Sequence, residues 1–230
     1  IFWGSWLAFI FTLISVNSYA DGADKSSRES CFYFTTVTET VLSDCENKAE
    51  QGDSTAQFNL GWMYLNGKGV PKNDTQAARW FKKSAEQGNP EAQYVFGRMY
   101  HSGQGVVKDN KESVKWFRKS AEQGHPRAQT NLGRAYNLGE GVPKDDEEAI
   151  RWFSEAAAQG DPKGQINLGI ICADENGIIA DFVLAYAWFD VALKNKNNNY
   201  LKETREMRDN VSTQMSPYQI KKAQELSSKW

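Results

Sequence analysis

A four-residue motif returns along this chain at a constant interval of 36 residues. Ala49-Glu50-Gln51-Gly52 recurs at 85–88, at 121–124 and, with one change, at 157–160. A fixed interval of about 20 to 50 residues is typical of proteins that stack small repeated units instead of folding around one core. The sequence therefore predicts a repeat architecture, in which the positions that differ between units are the ones to examine for function.

Each unit contains two helical patterns. Ala56, Leu60 and Tyr64 are spaced i, i+4, i+8 and so share one face of a helix, and they recur 36 and 72 residues later with Phe96 in place of one leucine. A second pattern, Ala77, Trp80-Phe81 and Ala85, recurs in the same way. These patterns predict a helix A over about 54–66 and a helix B over about 74–87 in each unit.

The expected helix ends carry suitable residues. Helix A is expected to begin after one of four N-cap residues, Asp53, Asn89, His125 and Asp161, and helix B after Asn73, Asp109, Asp145 and Asp181. Three residues after the first three helix B caps stand Gln76, Glu112 and Glu148, which predict capping boxes. The glycine of each four-residue motif is expected to adopt the left-handed conformation just past helix B.

The combined pattern A-x-x-A-Q-x-x-L-G-x-x-Y-x-x-G-x-G-V, followed by K-D and A-x-x-W-F-x-x-A, resembles the Sel1-like repeat, a relative of the tetratricopeptide repeat. Ala56-Gln57, Leu60-Gly61, Gly67 to Val70, and Trp80-Phe81 with their echoes carry the resemblance. It implies an all-α fold, a right-handed α-solenoid of antiparallel helix pairs, and a scaffolding role in protein complexes.

On this basis the chain divides into seven segments. The fourth repeat is degenerate, because Gly164, Cys172, Glu175 and Ala180 replace shared residues, as expected of a terminal unit. The segments are a signal peptide at 1–20, an N-terminal segment and half-repeat helix at 21–53, repeats at 54–89, 90–125, 126–161 and 162–197, and C-terminal capping helices at 198–230.

The first 20 residues and the overall charge bear on location. An apolar run from Ile1 to Val16, followed by Asn17-Ser18-Tyr19-Ala20, is typical of a secretory signal cleaved after Ala20. An uncleaved anchor is the alternative, although the run is shorter than the roughly 20 residues that a spanning helix needs. We therefore expect a periplasmic or secreted protein of a bacterial cell envelope. The formal net charge of −2 argues against a nucleic-acid partner, and we expect no stable membrane span after cleavage.

The three cysteines allow one disulfide. In an exported chain Cys31 and Cys45 could pair and hold the N-terminal segment on the half-repeat helix. Cys45 also lies 36 residues before Phe81, so a buried free thiol is the alternative. Cys172 occupies a core tyrosine position, which predicts a buried thiol.

Few residues suggest chemistry. The two histidines, His101 and His125, have no neighbouring Cys or His at metal-ligand spacing, so we expect neither a metal nor a cofactor. A secreted, cysteine-rich branch of the repeat family carries a β-lactamase label, but this chain lacks that branch's cysteine pair in each repeat. It also has no Ser-x-x-Lys motif, and we expect no enzymatic activity.

Binding should depend on helix A positions that differ between repeats. In the related tetratricopeptide geometry, helix A lines the concave face. The variable positions predict an aromatic wall that grades into a basic patch, and with His101 they form the candidate partner-binding set: Phe58, Trp62, Tyr94, Arg98, His101, Arg127 and Arg134. The simpler alternative is that Arg98 and Arg134 pair with acids on neighbouring helices and that Phe58 packs under the N-terminal segment.

The sequence thus predicts an exported, non-enzymatic scaffold that binds a protein or peptide, acidic in character, through the concave helix A face. The alternative function is an envelope polysaccharide or peptidoglycan binder, or a β-lactamase-like hydrolase, because Trp62 and Tyr94 could stack on sugar rings. The oligomeric state does not follow from the sequence.

Overall fold

The computed structural model describes residues 39–230, which contain helices and no strands. The all-α prediction is confirmed. In this part of the chain there are eleven helices: α1 Glu39–Glu50, α2 Ser54–Asn66, α3 Asp74–Glu86, α4 Pro90–Ser102, α5 Asn110–Glu122, α6 Pro126–Leu138, α7 Asp146–Ala158, α8 Pro162–Ala173, α9 Phe182–Lys194, α10 Leu201–Ser212 and α11 Pro217–Ser227.

The helix pairs follow the 36-residue interval. The pairs α2/α3, α4/α5, α6/α7 and α8/α9 are the A and B helices of the four repeats, and their ends lie within a few residues of the predicted ones. Within the pairs α2/α3, α4/α5 and α8/α9, consecutive helices pack on each other, as in an α-solenoid. Signal and anchor predictions for residues 1–20 lie outside the described residues.

The described helices belong to two compact units. Residues 39–128 and 140–142 form the first unit, and residues 129–139 and 143–230 form the second. Helices α1 to α5 therefore lie in the first unit, and α7 to α11 lie in the second. None of the helices in residues 39–230 is long and apolar enough to cross a membrane.

The N-cap predictions are confirmed, but the capping boxes are wrong. The Asp53 and Asn73 side chains accept hydrogen bonds from the backbone N–H groups of Ala56 (2.6 Å) and Gln76 (3.0 Å). The N–H of Asn73, however, donates to the carbonyl of Tyr64 at 2.9 Å, and the equivalent caps Asp109 and Asp145 do the same to Tyr100 and Tyr136. Since the cap N–H is already satisfied, Glu112 and Glu148 form salt bridges instead, with Lys115 and Arg151. A complete capping box occurs at Ser216 and Gln219 of α11.

Two contacts join the helices of each pair and of adjacent pairs. A Cβ atom added to Gly97 would lie 2.8 Å from the Phe117 ring, so only glycine lets helix A approach helix B this closely. Between repeats runs a ladder of buried amides. In the first unit the Gln93 side chain donates to the Ala85 carbonyl (3.1 Å) and accepts from Gln123 (2.7 Å).

The second unit is closed by the C-terminal helices. The rings of Trp188 and Trp230 stack with centroids 4.4 Å apart, and α9 packs on both α10 and α11. Asp190 accepts a hydrogen bond from Ser227 at 2.6 Å and forms a salt bridge with Lys194 at 2.8 Å. Burial alone would raise the pKa of Asp190, but the hydrogen bonds from Lys194 and Ser227 outweigh burial and hold that pKa below its ordinary value.

Cys172 is a free, buried thiol at the tyrosine position of the fourth repeat, as predicted. Burial raises its pKa to about 12, and the charge of Asp181 adds to the shift. A thiol that stays protonated at neutral pH is a poor nucleophile, so Cys172 has a packing role.

Candidate functional site

The helix A surface of the first unit holds most of the predicted binding residues. On α2, Phe58 and Trp62 are half-buried, with ring centroids 6.2 Å apart in an edge-on arrangement. Both rings also meet the fully buried Phe81 edge-on, at 5.7 and 5.8 Å. Phe81 thus fixes the orientation of the two partly exposed rings, which leaves α2 with a rigid aromatic surface.

Tyr94 on α4 is more deeply buried than the predicted wall of exposed aromatic side chains requires. Its exposed fraction is 9 %, and its ring stacks on the His125 ring at 4.7 Å. The Arg98 side chain is exposed, and its guanidinium carbon lies 5.8 Å from the Tyr94 ring centroid. Tyr94 therefore supports Arg98 from below, by a cation–π contact, more than it offers a surface of its own.

The ring of His125 covers Tyr94 and so explains its burial, a contact that the sequence pattern does not predict. The predicted cap is present, because His125 Nδ1 accepts the backbone N–H of Ala128 at 3.1 Å. The other ring nitrogen, Nε2, lies 3.2 Å from a carboxylate oxygen of Glu91. His125 is the one aromatic residue among the four helix A caps, and Tyr94 on the preceding helix A is the ring that stacks on it.

The remaining candidates occupy separate places. His101 is half-buried in the last turn of α4, and Arg127 is exposed in the first turn of α6. Arg134 is also exposed on α6, but it belongs to the second unit. Cys45 is fully buried on α1 and is in a disulfide, which excludes the free-thiol alternative. Cys31 lies outside the described residues, so its pairing with Cys45 stays a prediction.

The two variable rows of helix A differ in exposure. The row that begins with Phe58 continues with the buried residues Tyr94, Thr130 and Ile166. The row that begins with Trp62 has exposed residues at all three later positions, Arg98, Arg134 and Ile170. We call the first-unit part of this row, Trp62 and Arg98, the open row. Trp62 is half-buried and Arg98 is exposed, so a partner can reach both side chains.

The shifted pKa of Glu155 has a structural cause. Burial raises the pKa of Glu155, and Arg151, whose Nη1 lies 3.2 Å away, offsets part of that shift. The amide of Gln129 donates to the same carboxylate at 3.1 Å. No group of three His, Cys, Asp or Glu side chains in residues 39–230 is arranged to hold a metal ion.

Comparison with protein families identifies the repeats. The model of the Sel1 repeat matches residues 54–89, 90–125, 126–161 and 162–197. None of the curated proteins matches the chain.

Solved structures are similar over much of the chain. A protective antigen of uropathogenic Escherichia coli strains, which displays an SLR fold, is 38% identical with a TM-score of 0.75 over 82% of this chain and 40% of the antigen. This chain therefore spans less than half of that protein. A Sel1 repeat protein from Oxalobacter formigenes is 46% identical, with a TM-score of 0.53, over 55% of this chain and 96% of its own length.

A more distant likeness concerns the fold alone. An immunity protein from Pseudomonas aeruginosa is 20% identical, with a TM-score of 0.50, over 92% of this chain and 84% of its own.

Proposed function

Because the chain belongs to the Sel1 repeat family, we propose that it is an exported, non-enzymatic scaffold that binds a protein or peptide through the open row of helix A. The observation that carries this proposal is the contrast between rows. Most of the helix positions that the repeats share are buried in helix contacts, whereas the open row changes from the half-buried Trp62 to the exposed Arg98 and can be reached by a partner. Trp and Arg are the residues most enriched at the energetic centres of protein interfaces.

The partner is expected to carry carboxylates and an apolar side chain. On α4 the guanidinium of Arg98 is held over Tyr94, which limits its freedom and reduces the entropy lost on binding. Arg127 adds a second exposed cation, and the exposed Glu91 makes the surface mixed in charge. A forked guanidinium suits a carboxylate, and the Trp62 edge suits an apolar group.

A non-enzymatic role agrees with the chemistry of the described residues. Their one free thiol is buried, with a pKa of about 12. The carboxylates with shifted pKa values have structural partners: Glu155 pairs with Arg151 of its own helix, and Asp190 pairs with Lys194 of its own helix and accepts a hydrogen bond from Ser227 of α11. Export is supported by the signal-like residues 1–20.

Affinity capture from a bacterial envelope extract tests the proposal. The variant W62A/R98A should lose the protein that the parent chain retains, since removing two such anchors costs about 2 kcal/mol or more each. The matched control is R205A/Y218A, which removes an exposed arginine and tyrosine from α10 and α11. Circular dichroism should show both variants folded, although W62A also removes the packing of Trp62 on Phe81 and should lower the melting temperature.

Two outcomes would contradict the proposal. One is equal retention of the partner by W62A/R98A and by the parent chain. The other is retention of peptidoglycan, or hydrolysis of β-lactams, by the purified protein, which would favour the polysaccharide-binding or hydrolase alternative.

A further inference from the structure

The helix B surfaces of the first unit are basic. Helix α3 carries three cations and two carboxylates, and α5 carries four cations and two carboxylates. Six of these cations stand at equivalent positions 36 residues apart, and we call them the outer strip: Arg79 and Lys115, Lys82 and Arg118, Lys83 and Lys119. These positive charges thus recur at the same 36-residue interval as the helix pairs.

Among α1 and the helix B elements, the basic character is confined to α3 and α5. At the positions equivalent to Arg79, Lys82 and Lys83, helix α7 has Arg151, Ser154 and Glu155, and α1 has Ser43, Glu46 and Asn47. Helices α1 and α7 each carry one cation and four carboxylates. Stacking helix pairs does not require lysine at these positions, because the third repeat forms the same pair without it.

Four cations of the outer strip are exposed, Lys83 and Arg118 are half-buried, and Lys115 pairs with Glu112. Lys83 lies 4.1 Å from the ring centroid of Trp80, and Lys119 lies 4.3 Å from that of Trp116. Lys82 is 3.7 Å from Glu86, and both side chains are more than half exposed. Exposed pairs of this kind are weak and are screened by salt, so they leave most of the positive potential available.

The outer strip lacks the features of a tight protein interface. No large hydrophobic side chain of α3 or α5 is exposed, so there is no apolar centre for a partner to bury. Flexible, hydrated lysine heads suit a surface of mobile anionic groups better than a single shaped ligand. We propose that the outer strip adsorbs the protein onto a membrane surface that contains anionic phospholipid.

A lipid surface fits these charges better than a nucleic acid does. Nucleic acid carries phosphates at fixed spacing, and the acidic α1 of the same unit would repel a long stiff polyanion. In a fluid leaflet, anionic lipids can gather under the strip while neutral lipids lie under the carboxylates. Each lysine or arginine near such a surface contributes about a factor of five in binding.

This inference is independent of the proposed function. The open row lies on helix A, and the outer strip lies on helix B, so one face could hold a partner while the other rests on a membrane. Loss of one activity should leave the other unchanged.

Vesicle co-sedimentation tests the proposal with the purified chain. Vesicles of equal parts phosphatidylglycerol and phosphatidylcholine should bind the protein at low salt, and vesicles of phosphatidylcholine alone should not. Binding should disappear at about 1 M salt, where electrostatic attraction reaches only about 3 Å. The variant R79Q/K82Q/K115Q should lower the partition coefficient by between about tenfold and about 100-fold.

The matched control is K202Q/K221Q/K222Q, which removes three exposed lysines from α10 and α11 and should leave binding within about twofold of the parent, since it keeps every strip cation. The proposal is overturned if the parent chain does not bind phosphatidylglycerol vesicles, or if both triple variants lose binding equally. It is also overturned if a duplex oligonucleotide binds more tightly than the vesicles, with the same dependence on the strip. Circular dichroism of each variant establishes that it is folded.

Discussion

The second repeat (90–125) and the fourth repeat (162–197) are built on the same helix contact but differ in the loop between their helices. In both, a glycine of helix A faces a phenylalanine ring of helix B: Gly97 with Phe117, and Gly169 with Phe189. In the second repeat, Gly105 has a φ of 71°, and a Cβ there would lie 2.1 Å from the carbonyl oxygen of Asp74 in the preceding repeat. The equivalent Gly177 lies close only to its own turn and to the end of α8.

The difference separates two kinds of shared residue. The glycine–phenylalanine contact is needed to form any helix pair, so even the degenerate repeat keeps it. The loop glycine is needed where a loop presses on the preceding pair, so it is dispensable where that contact is absent. Substitutions in the two repeats can test this distinction.

The largest effect is expected at the contact that both repeats keep. The substitutions G97V and G169V should each lower the free energy of unfolding by about 3 kcal/mol, because the added atoms overlap a buried ring that cannot move freely. Chemical denaturation measures both. G88A is the graded control: its φ of 92° is strained for alanine but nothing lies within 4 Å, so it should cost about 1 kcal/mol. Equal costs for G97V and G88A would contradict the role of the helix contact.

The loop glycines should distinguish the two repeats most clearly. G105A combines a left-handed backbone with a clash against a main-chain carbonyl and should cost about 2 kcal/mol. Gly177 lacks the left-handed backbone, and a Cβ there would lie 3.1 Å from the carbonyl oxygen of Asp174, a tight contact but not an overlap, so G177A should cost about 1 kcal/mol. Thermal melts of both variants provide the comparison, and a larger loss for G177A would show that the fourth loop is also pressed on its neighbour.

Substitutions in the amide ladder should also lower the free energy of unfolding more in the second repeat than in the fourth, but by a smaller margin. The Gln93 side chain donates to the Ala85 carbonyl at 3.1 Å, whereas the equivalent bond from Gln165 to the Ala157 carbonyl is longer, at 3.5 Å. Replacing Gln93 with leucine leaves a buried carbonyl without that donor and should cost about 2 kcal/mol, and Q165L should cost about 1 kcal/mol. Denaturation midpoints of the two variants would contradict this trend if Q165L were the less stable.

The last effect is absent at neutral pH and concerns the thiol of Cys172, which replaces the tyrosine found in the other repeats. Its pKa rises from 9.0 to about 12 on folding, so the unfolded chain loses its thiol proton first as the pH rises. The stability contributed by the protonated thiol is therefore complete below pH 9 and is lost between pH 9 and 12. The difference in unfolding free energy between the parent chain and C172A should shift over this range. A difference that does not change with pH would mean that the thiol is not buried in solution.

Much of the fold could be predicted from the sequence, because the same local signals recur at equivalent positions of each repeat and support one another. Helix ends, N-caps and the buried state of Cys172 follow from local rules applied several times over. Capping boxes failed because the Asn73 N–H is satisfied by Tyr64, a partner nine residues earlier that the local rule does not consider. The Gln93–Gln123 bond was missed because its partners lie 30 residues apart in different repeats.

The candidate site was predicted less completely. The 36-residue periodicity identified the variable helix A positions, but it predicted the same solvent exposure for the row that begins with Phe58 and the row that begins with Trp62. Tyr94 is buried because His125, 31 residues later, stacks on it, and Arg98 remains exposed because nothing of that kind covers it. Exposure depends on contacts between repeats, which the interval alone does not specify.

Site-specific photo-crosslinking tests the central claim most directly, namely that the variable open row binds a protein partner. A photoreactive residue placed at the exposed position 102, one turn after Arg98 on α4, and in a second variant at position 202 on α10, would be irradiated in an envelope extract. Position 102 should give a discrete covalent adduct with one protein, and that adduct should be lost when W62A and R98A are added, whereas position 202 should give none. An adduct from position 202 alone, or no adduct from position 102, would contradict the claim.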